Sequence, residues 1–335
     1  MSTCCCNAIK TNPITTTLTI LSFKDILGGW KVRWGIGRSK YKIIPGIYSL
    51  GNPDKTSPVF VSANYKLTFD TLRKKLSGID CYILILDTKG INVWCAAGKG
   101  TFGTKELVNR IKAVKLSKIV SHKKLILPQL GAAGVSAHEV KKHSNFSVIY
   151  GPVRASDIKE FISSGFTATE KMRKVKFTFL DRLVLTPVEL VAALKKSIFV
   201  LGAAFLINLF AARPFGINDI TIFAGAVFTG TVLTPLLLPV IPGKAFSWKG
   251  WLLGLAWTAF ALWLFKWFAP QYRILALGYL LLLPALSAYL AMNFTGSSTY
   301  TSPSGVLKEM KIALPLIITS AAIGAILVLI KSFIG

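Results

Sequence analysis

Between residues 59 and 162 the chain alternates short, mostly apolar runs with stretches whose apolar positions recur every three or four residues. The runs Val59-Phe60-Val61, 82–86, 124–127 and 146–150 have strand length and strand composition. Between them, helical spacing marks 68–76, where Leu67, Leu72 and Leu76 share a face. It also marks 102 or 104 to 114, where Leu107, Val108, Ile111 and Val114 do. Shorter helices are expected over 136–142 and 156–162, each opening on a serine suited to an N-cap. Strands that alternate with helices predict an α/β fold, a Rossmann-like and mostly parallel sheet covered on both faces. Ligands of such sheets bind at the carboxyl ends of the strands. The segments 92–100, Gly131-Ala132-Ala133-Gly134 and Tyr150-Gly151-Pro152 all end or follow strands, so they should converge on one edge. Residues 1 to about 60 lack this rhythm, because Gly28-Gly29, Gly35, Gly37, Pro45-Gly46 and Gly51-Asn52-Pro53 divide them into short pieces.

The pattern changes in the second half. Five apolar stretches, 190–212, 218–241, 249–268, 272–293 and 309–333, each come near the ~20 residues needed to cross a bilayer. Trp248, Trp251, Trp263 and Trp267 fall near the ends of the third, where interfacial aromatics collect. The expected organisation is a basic domain over 1–170, a basic linker over 171–189 and an α-helical transmembrane domain over 190–335. Polar residues inside the stretches are few and mild (Asn208, Thr229, Thr231, Thr234), which reads as an anchor more than a pump.

Charge sharpens this division. Of 40 Lys+Arg and 14 Asp+Glu, residues 1–187 hold 30 and 11, and residues 188–335 hold 10 and 3. The run Lys171-Met172-Arg173-Lys174-Val175-Lys176 lies just before the apolar half, as expected of a segment retained on the cytoplasmic side. The expected location is therefore a cytoplasmic membrane, crossed several times, with the first domain and Lys195-Lys196 in the cytoplasm. Five crossings would put Gly335 on the far side, with Lys244 and Lys249 inside and Lys266 and Arg273 outside. No nucleic-acid motif accompanies the basic residues, so nucleic acid is not expected as a partner; a positive domain favours an acidic protein surface. No basic region followed by an apolar core opens the chain, so no signal peptide is expected.

Five cysteines carry the candidate chemistry: Cys4, Cys5, Cys6, Cys81 and Cys95. No CxxC spacing occurs, which argues against a zinc site or an in-chain iron–sulfur cluster. The triplet at 4–6 reads as a tail. Cys95 differs, because Asn92-Val93-Trp94-Cys95-Ala96-Ala97-Gly98-Lys99-Gly100 presents a thiol among residues of little bulk, just after the apolar run Cys81-Tyr82-Ile83-Leu84-Ile85-Leu86. Such a segment suits something large and flat. A buried small hydrophobe is the ordinary alternative for a lone cysteine. A nucleotide-binding domain would instead show GxxxxGK[ST] or GxGxxG after a strand; Gly98-Lys99-Gly100-Thr101 is only a faint echo.

Asn92-Val93-Trp94-Cys95-Ala96-Ala97-Gly98-Lys99 resembles the signature of the mercury-methylating corrinoid protein family. Ala63-Asn64-Tyr65-Lys66-Leu67-Thr68-Phe69-Asp70 and Gly131-Ala132-Ala133-Gly134-Val135-Ser136-Ala137-His138 are similar to the same family's corrinoid domain. That domain in turn resembles the corrinoid iron–sulfur protein of the acetyl-CoA pathway. The apolar tail matches the mercury family and not the soluble relative, whose four-cysteine cluster this chain lacks. The Asp-x-His-x-x-Gly motif of histidine-ligated corrinoid proteins is also missing, and His122 and His143 read as solvated residues.

The resemblance implies a cobalt corrinoid with Cys95 as the lower axial ligand, in a short helix that caps the ring. It implies ring contacts from Asn92, Val93, Trp94, Ala96, Ala97, Gly98 and Lys99, and from Gly131, Ala132, Gly134, Val135, His138, Tyr150, Gly151 and Pro152. Trp94 either packs on the ring or anchors the cap. Lys99 either favours the thiolate, contacts a ring substituent or is solvated. The implied reaction is methyl transfer from cobalt to Hg(II), giving methylmercury; the rival is a corrinoid methyl carrier of one-carbon or acetyl-CoA metabolism. A thiolate opposite the methyl group would push electron density toward it and favour its release with both bonding electrons. Restoring the cobalt then needs two electrons from outside. The implied partners are a ferredoxin-like protein with 4Fe–4S clusters, as electron donor and possible Hg(II) donor, and a methylated folate pathway as methyl source.

Overall fold

The computed structural model describes residues 14–297 and 303–334, and the triplet Cys4, Cys5, Cys6 lies outside them. Contacts divide the chain into two units, with the boundary between Val175 and Lys176 and with residues 33–35 grouped with the second.

The first unit is built on a six-stranded sheet. Its strands are β1 (Thr15–Thr17), β2 (Gly46–Leu50), β3 (Val59–Ala63), β4 (Cys81–Leu86), β5 (Lys124–Leu127) and β6 (Ser147–Tyr150), in the order β1-β2-β4-β3-β5-β6. The strands β4, β3, β5 and β6 run parallel, and β2 pairs antiparallel to β4. Strand β4 is buried along its whole length and shows why. Cys81, Ile83 and Ile85 enter one core layer, with Phe60, Phe69, Ile126 and Phe161. Tyr82, Leu84 and Leu86 enter the other, with Val59, Leu107, Leu125 and Phe146. Alternate residues of a strand face opposite sides, so a continuous apolar run is what a sheet covered on both faces requires.

The helices of this unit are α1 (Phe23–Arg33), α2 (Lys66–Lys75), α3 (Val93–Gly98), α4 (Thr104–Ala113), α5 (Leu116–Ile119), α6 (Ala137–Ser144), α7 (Ile158–Ser163) and α8 (Glu170–Arg173). Strand β5 and helix α4 fall where the apolar spacing predicts them. The first sixty residues do not, since they contain α1 and β2. The pair Gly28-Gly29 sits inside α1 rather than ending it. A Cβ on Gly28 would lie 2.6 Å from the Tyr41 hydroxyl, so the glycine permits close approach of the helix to its neighbour. Met172 is buried against Ile158 and Phe161, and its carbonyl accepts the Val153 N–H at 2.9 Å. The first residues of the expected linker thus belong to this unit.

Leu86 and Ala63 are register partners, and so are Leu127 and Tyr150. Phe60 pairs with Ile126, so Leu127 stands opposite Val61, and β5 and β6 end two residues short of β3 and β4 at the same side of the sheet. Strands β3 and β5 are neighbours whose following segments lead away in opposite directions, to β4 and to β6. This is a topological switch point, where α/β sheets place their ligands.

The second unit contains α9 (Phe179–Leu183), α10 (Thr186–Asn208), α11 (Ile217–Phe228), α12 (Thr234–Leu237), α13 (Phe246–Leu264), α14 (Arg273–Asn293) and α15 (Pro303–Ile334). Among the described residues, four segments are long and apolar enough to cross a membrane: Phe179–Asn208, Ile217–Leu237, Pro270–Gly296 and Ser304–Ile334. The expected span at 249–268 is helical as α13 but is not among them. Its four tryptophans and Lys249 dilute the aliphatic character of the other helices. Helices approach closely through small residues. A Cβ on Gly254 would lie 2.6 Å from that of Ser287, and one on Gly324 would lie 2.6 Å from the Leu282 nitrogen.

The mild polar residues serve the backbone. Thr231 and Thr234 donate their hydroxyls to the carbonyls of Val227 and Thr229 at the five-residue π-turn Thr229–Leu233. Asn208 exchanges two hydrogen bonds with the Phe215 backbone. Each satisfies a group that an apolar surrounding would leave exposed at a cost of several kcal/mol.

Candidate functional site

The segment after β4 turns sharply and is held by a buried side chain. Asn64, at the end of β3 and 2% exposed, accepts through Oδ1 from the Thr88 nitrogen at 3.1 Å, the Thr88 hydroxyl at 2.9 Å and the Gly90 nitrogen at 2.9 Å. Its Nδ2 donates to Asp87 Oδ1 at 3.2 Å. The single Thr88 hydroxyl proton is shared between Asn64 Oδ1 and the Ile91 carbonyl, which lies at 2.6 Å. Lys89 and Gly90 both take positive φ, and the Lys89 nitrogen donates back to Asp87 at 3.0 Å. Asp87 receives further support, since its nitrogen donates to Glu106 of α4 at 2.9 Å. A single asparagine therefore fixes the path of the chain into α3.

Helix α3 begins at Asn92, whose Oδ1 caps it by accepting the Cys95 N–H at 2.9 Å. Val93, Ala96 and Ala97 are buried in the core layer, so this side of the helix faces the sheet. Asn92, Trp94 and Cys95 are half-buried, and Gly98, Lys99 and Gly100 are exposed. The Lys99 nitrogen donates to the Cys95 carbonyl at 3.1 Å.

The glycine-rich segment after β5 packs directly against this helix. A Cβ on Gly134 would lie 2.1 Å from the Phe102 carbonyl and 3.0 Å from the Ala97 Cα. One on Gly131 would meet the Phe102 ring at 2.6 Å. Both glycines thus let two backbones and a buried ring close together beneath the cap. The Thr104 nitrogen donates to the Gly134 carbonyl at 3.2 Å, and the Ser136 nitrogen donates to the Thr104 hydroxyl at 2.9 Å. From β6, the Tyr150 hydroxyl donates to the Val135 carbonyl at 2.5 Å, and burial raises its pKa, keeping that proton in place. Gly151 and Pro152 are buried, with the Gly151 nitrogen donating to Leu127 at 2.7 Å. The three expected segments therefore meet at one sheet edge.

Individual residues differ in what they offer. Gly98 and Gly100 have nothing within 4 Å of an added Cβ, so the outer end of α3 opens on free space. Ala132 and Ala133 are half-buried and exposed, at the rim of the segment after β5. His138 is exposed on α6 and shares a hydrogen bond with the Ser136 hydroxyl at 2.9 Å. His143 meets Glu139 at 3.1 Å on the same helix, and His122 contacts the Ser57 carbonyl at 2.9 Å.

The two described cysteines are chemically distinct. Cys81 begins β4, at the opposite end of the strand from α3, and is fully buried. Burial and the neighbouring Asp80 push its thiol up to about 12. Cys95 is half-buried beside open space. Among the described residues no group of three or more His, Cys, Asp or Glu side chains could hold a metal ion. A metal at the Cys95 sulfur would thus have to bring its other ligands with it. A cobalt corrinoid does so, and a planar ring fits a helix end where Gly98 and Gly100 leave open space.

Asn64, Phe102, Thr104 and Glu106 complete the site, and periodicity alone gives them no function. Asn64 does carry a sequence signal, as a carboxamide just after a strand that is apolar except for Ser62.

Residues 38–162 match the family model described as the CO dehydrogenase/acetyl-CoA synthase delta subunit. The chain is 30% identical over 127 residues to the acetyl-CoA decarbonylase/synthase complex subunit gamma of Methanopyrus kandleri, covering 37% of this chain and 27% of that one. It is 27% identical over 135 residues to the same subunit of Archaeoglobus fulgidus, covering 40% and 28%. Subunit gamma 2 of Methanosarcina thermophila is 37% identical over 90 residues, covering 26% and 19%. The chain spans about a quarter of the length of these relatives. The first unit is therefore related to acetyl-CoA-pathway proteins, and the family match ends before the apolar helices begin.

Proposed function

We propose that the first unit binds a corrinoid against α3 and serves corrinoid-dependent methyl transfer, with the Cys95 thiolate as the lower axial ligand of cobalt. The observation that carries this reading is the convergence of 92–100, 131–135 and 150–152 at the switch point of the sheet, with a half-buried thiol beside the open positions of Gly98 and Gly100. The relationship to acetyl-CoA decarbonylase/synthase subunits supports it independently. When bound, the corrinoid supplies a cobalt-held methyl group.

The protein's own residues do the rest. Asn64 sets the entry of the chain into α3, Asn92 fixes Cys95 at the third position of the helix, and Gly131 and Gly134 bring the supporting segment against Ala97 and Phe102. Lys99 stands one turn beyond the sulfur-bearing residue and is exposed, placed for a polar substituent of the ring. Ligation would require Cys95 in its thiolate form.

The acceptor of the methyl group defines two readings. The relatives' names favour a methyl carrier of one-carbon or acetyl-CoA metabolism, acting with a protein complex. Transfer to Hg(II) is favoured by the run Asn92 to Lys99 together with four apolar helices that lie outside the matched residues. Both readings place the chain in a cytoplasmic membrane with the first unit inside. Both need a two-electron donor, for which a ferredoxin-like 4Fe–4S protein is suited, and a methylated folate source. Presenting the methyl-loaded protein with Hg(II), and separately with an acetyl-CoA synthase subunit, decides between them. Methylmercury supports the second reading and transfer to the synthase the first; transfer to neither removes methyl transfer as the function.

A further inference from the structure

Helix α1 carries a second surface, remote in sequence from the cap. Phe23, Ile26, Leu27 and Trp30 recur at helical spacing, and Trp34 continues the series one residue past the helix end. All five are exposed, Phe23 at 79% and Trp30 at 64%. On a helix of 3.6 residues per turn they share one stripe of about 100°. Lys24 and Lys31 border it on one side and Arg33 on the other.

The opposite face is committed to the protein. Val32 and Gly29 are buried, and a Cβ on Gly29 would touch Leu67 at 3.3 Å. Asp25, the helix's only acid, lies on this inner face. Its Oδ1 meets Lys66 at 2.6 Å and its Oδ2 meets Arg73 at 2.8 Å. Buried Arg73 also donates to the carbonyls of Leu18 and Ile20 at 2.6 and 3.2 Å. The backbone is thus fixed while the side chains of Leu18 and Ile20 stay outside, at 72% and 79% exposure. The apolar stripe belongs to a firmly held element.

We propose that α1 lies in the plane of an anionic membrane surface, with Phe23, Ile26, Leu27, Trp30 and Trp34 in the interface and Lys24, Lys31 and Arg33 at the headgroups. This rests on the membrane reading of the second unit. The same chain holds four helices able to span a bilayer, so that surface is within its reach. Helices that bind in this way combine an apolar face bearing tryptophan with flanking cations. The one carboxylate that anionic lipid would repel is turned inward and neutralised by two cations.

The test uses the full chain reconstituted in vesicles of brominated phosphatidylcholine with and without phosphatidylglycerol, which quench tryptophans within the bilayer. The protein has eight tryptophans. In phosphatidylglycerol vesicles, the W30F/W34F variant should lose about a quarter of the quenchable emission, and K24E/K31E/R33E should lose a similar part. Hydrogen exchange of α1 in the unaltered chain should slow when phosphatidylglycerol is present, a measurement independent of any variant. Unchanged quenching and unchanged exchange would overturn the proposal and assign the stripe to a protein surface, whether another part of this chain, a second copy or a partner. Trp94 lies on α3 of the first unit, so the remaining five, Trp248, Trp251, Trp257, Trp263 and Trp267, report the second unit separately; absence of their quenching would remove the membrane reading itself.

Discussion

Asn92 Oδ1 accepts the backbone N–H of Cys95 at 2.9 Å, so the residue that starts the cap helix also positions the residue that carries its thiol. Loss of such a cap costs about 0.5–2 kcal/mol. Asn92→Ala should lower the unfolding midpoint of the purified chain accordingly and reduce corrinoid retention, whereas Asn92→Ser or Asn92→Asp should keep most of both. Equal retention in Asn92→Ala would show that the cap does not depend on this bond.

Asn64 provides a stricter test. Its Oδ1 serves three donors, two of them backbone N–H groups, and none of these has an obvious substitute in a site that is 2% exposed. Leaving buried donors unsatisfied costs about 1–3 kcal/mol each. Asn64→Leu should therefore destabilise the chain more than Asn92→Ala does. Differential scanning calorimetry of both variants in the same detergent gives the comparison.

Two glycines of the site should respond in opposite ways. Gly134→Ala places a Cβ 2.1 Å from the Phe102 carbonyl, which forces the backbone apart and costs on the order of 1–3 kcal/mol. Gly98→Ala meets nothing within 4 Å and restricts the unfolded chain, so folding stability should hold or rise by up to about 1 kcal/mol. If the ring covers that position, the same Gly98→Ala change should still lower corrinoid binding. The two readouts, unfolding and corrinoid absorbance, separate support of the helix from contact with the cofactor.

The two described thiols should differ in reactivity. Alkylation at pH 8 followed by peptide mapping should modify Cys95 and spare Cys81, whose thiol is fully buried and pushed up to about 12. A raised value means that the unfolded chain ionises first, so the contribution of Cys81 to stability is complete below pH 9 and is lost as pH rises toward 12. Unfolding in that range should be steeper in the natural chain than in Cys81→Ala.

Asp25 gives the acid counterpart. Burial alone would raise its pKa, but hydrogen bonds from Lys66, Ser22 and Arg73 outweigh this and hold it well below 3.8. A depressed carboxylate stabilises the fold above the unfolded value and loses that contribution as pH falls. Exchange of the α1 amides should therefore accelerate below pH about 4, and Asp25→Asn should remove the pH dependence.

How far the sequence alone led follows from the kind of signal each element carries. Strands β3 to β5 and helix α4 are legible because each buries a run or a stripe with a single period, and β6, half-buried throughout, because it keeps the apolar run Val148-Ile149-Tyr150. Helix α1 is not, because its Gly28-Gly29 pair reads as a break, while its purpose is close approach to Tyr41 and Leu67. Strand β2 is short and set among glycines and prolines. In the second unit, the five-span expectation counted the tryptophan-rich α13 alongside the aliphatic helices. At the site, the position of Cys95 after β4 was legible. That Ala96 and Ala97 face the core, and that Asn64 aims the preceding turn, are facts of tertiary packing that no local pattern carries.

The central claim is a cobalt–sulfur bond from Cys95. Cobalt-edge X-ray absorption of the purified, corrinoid-loaded chain measures it directly. A sulfur scatterer in the first shell, absent from Cys95→Ala, is the predicted result; a shell of nitrogen and oxygen alone, identical in both proteins, would contradict it.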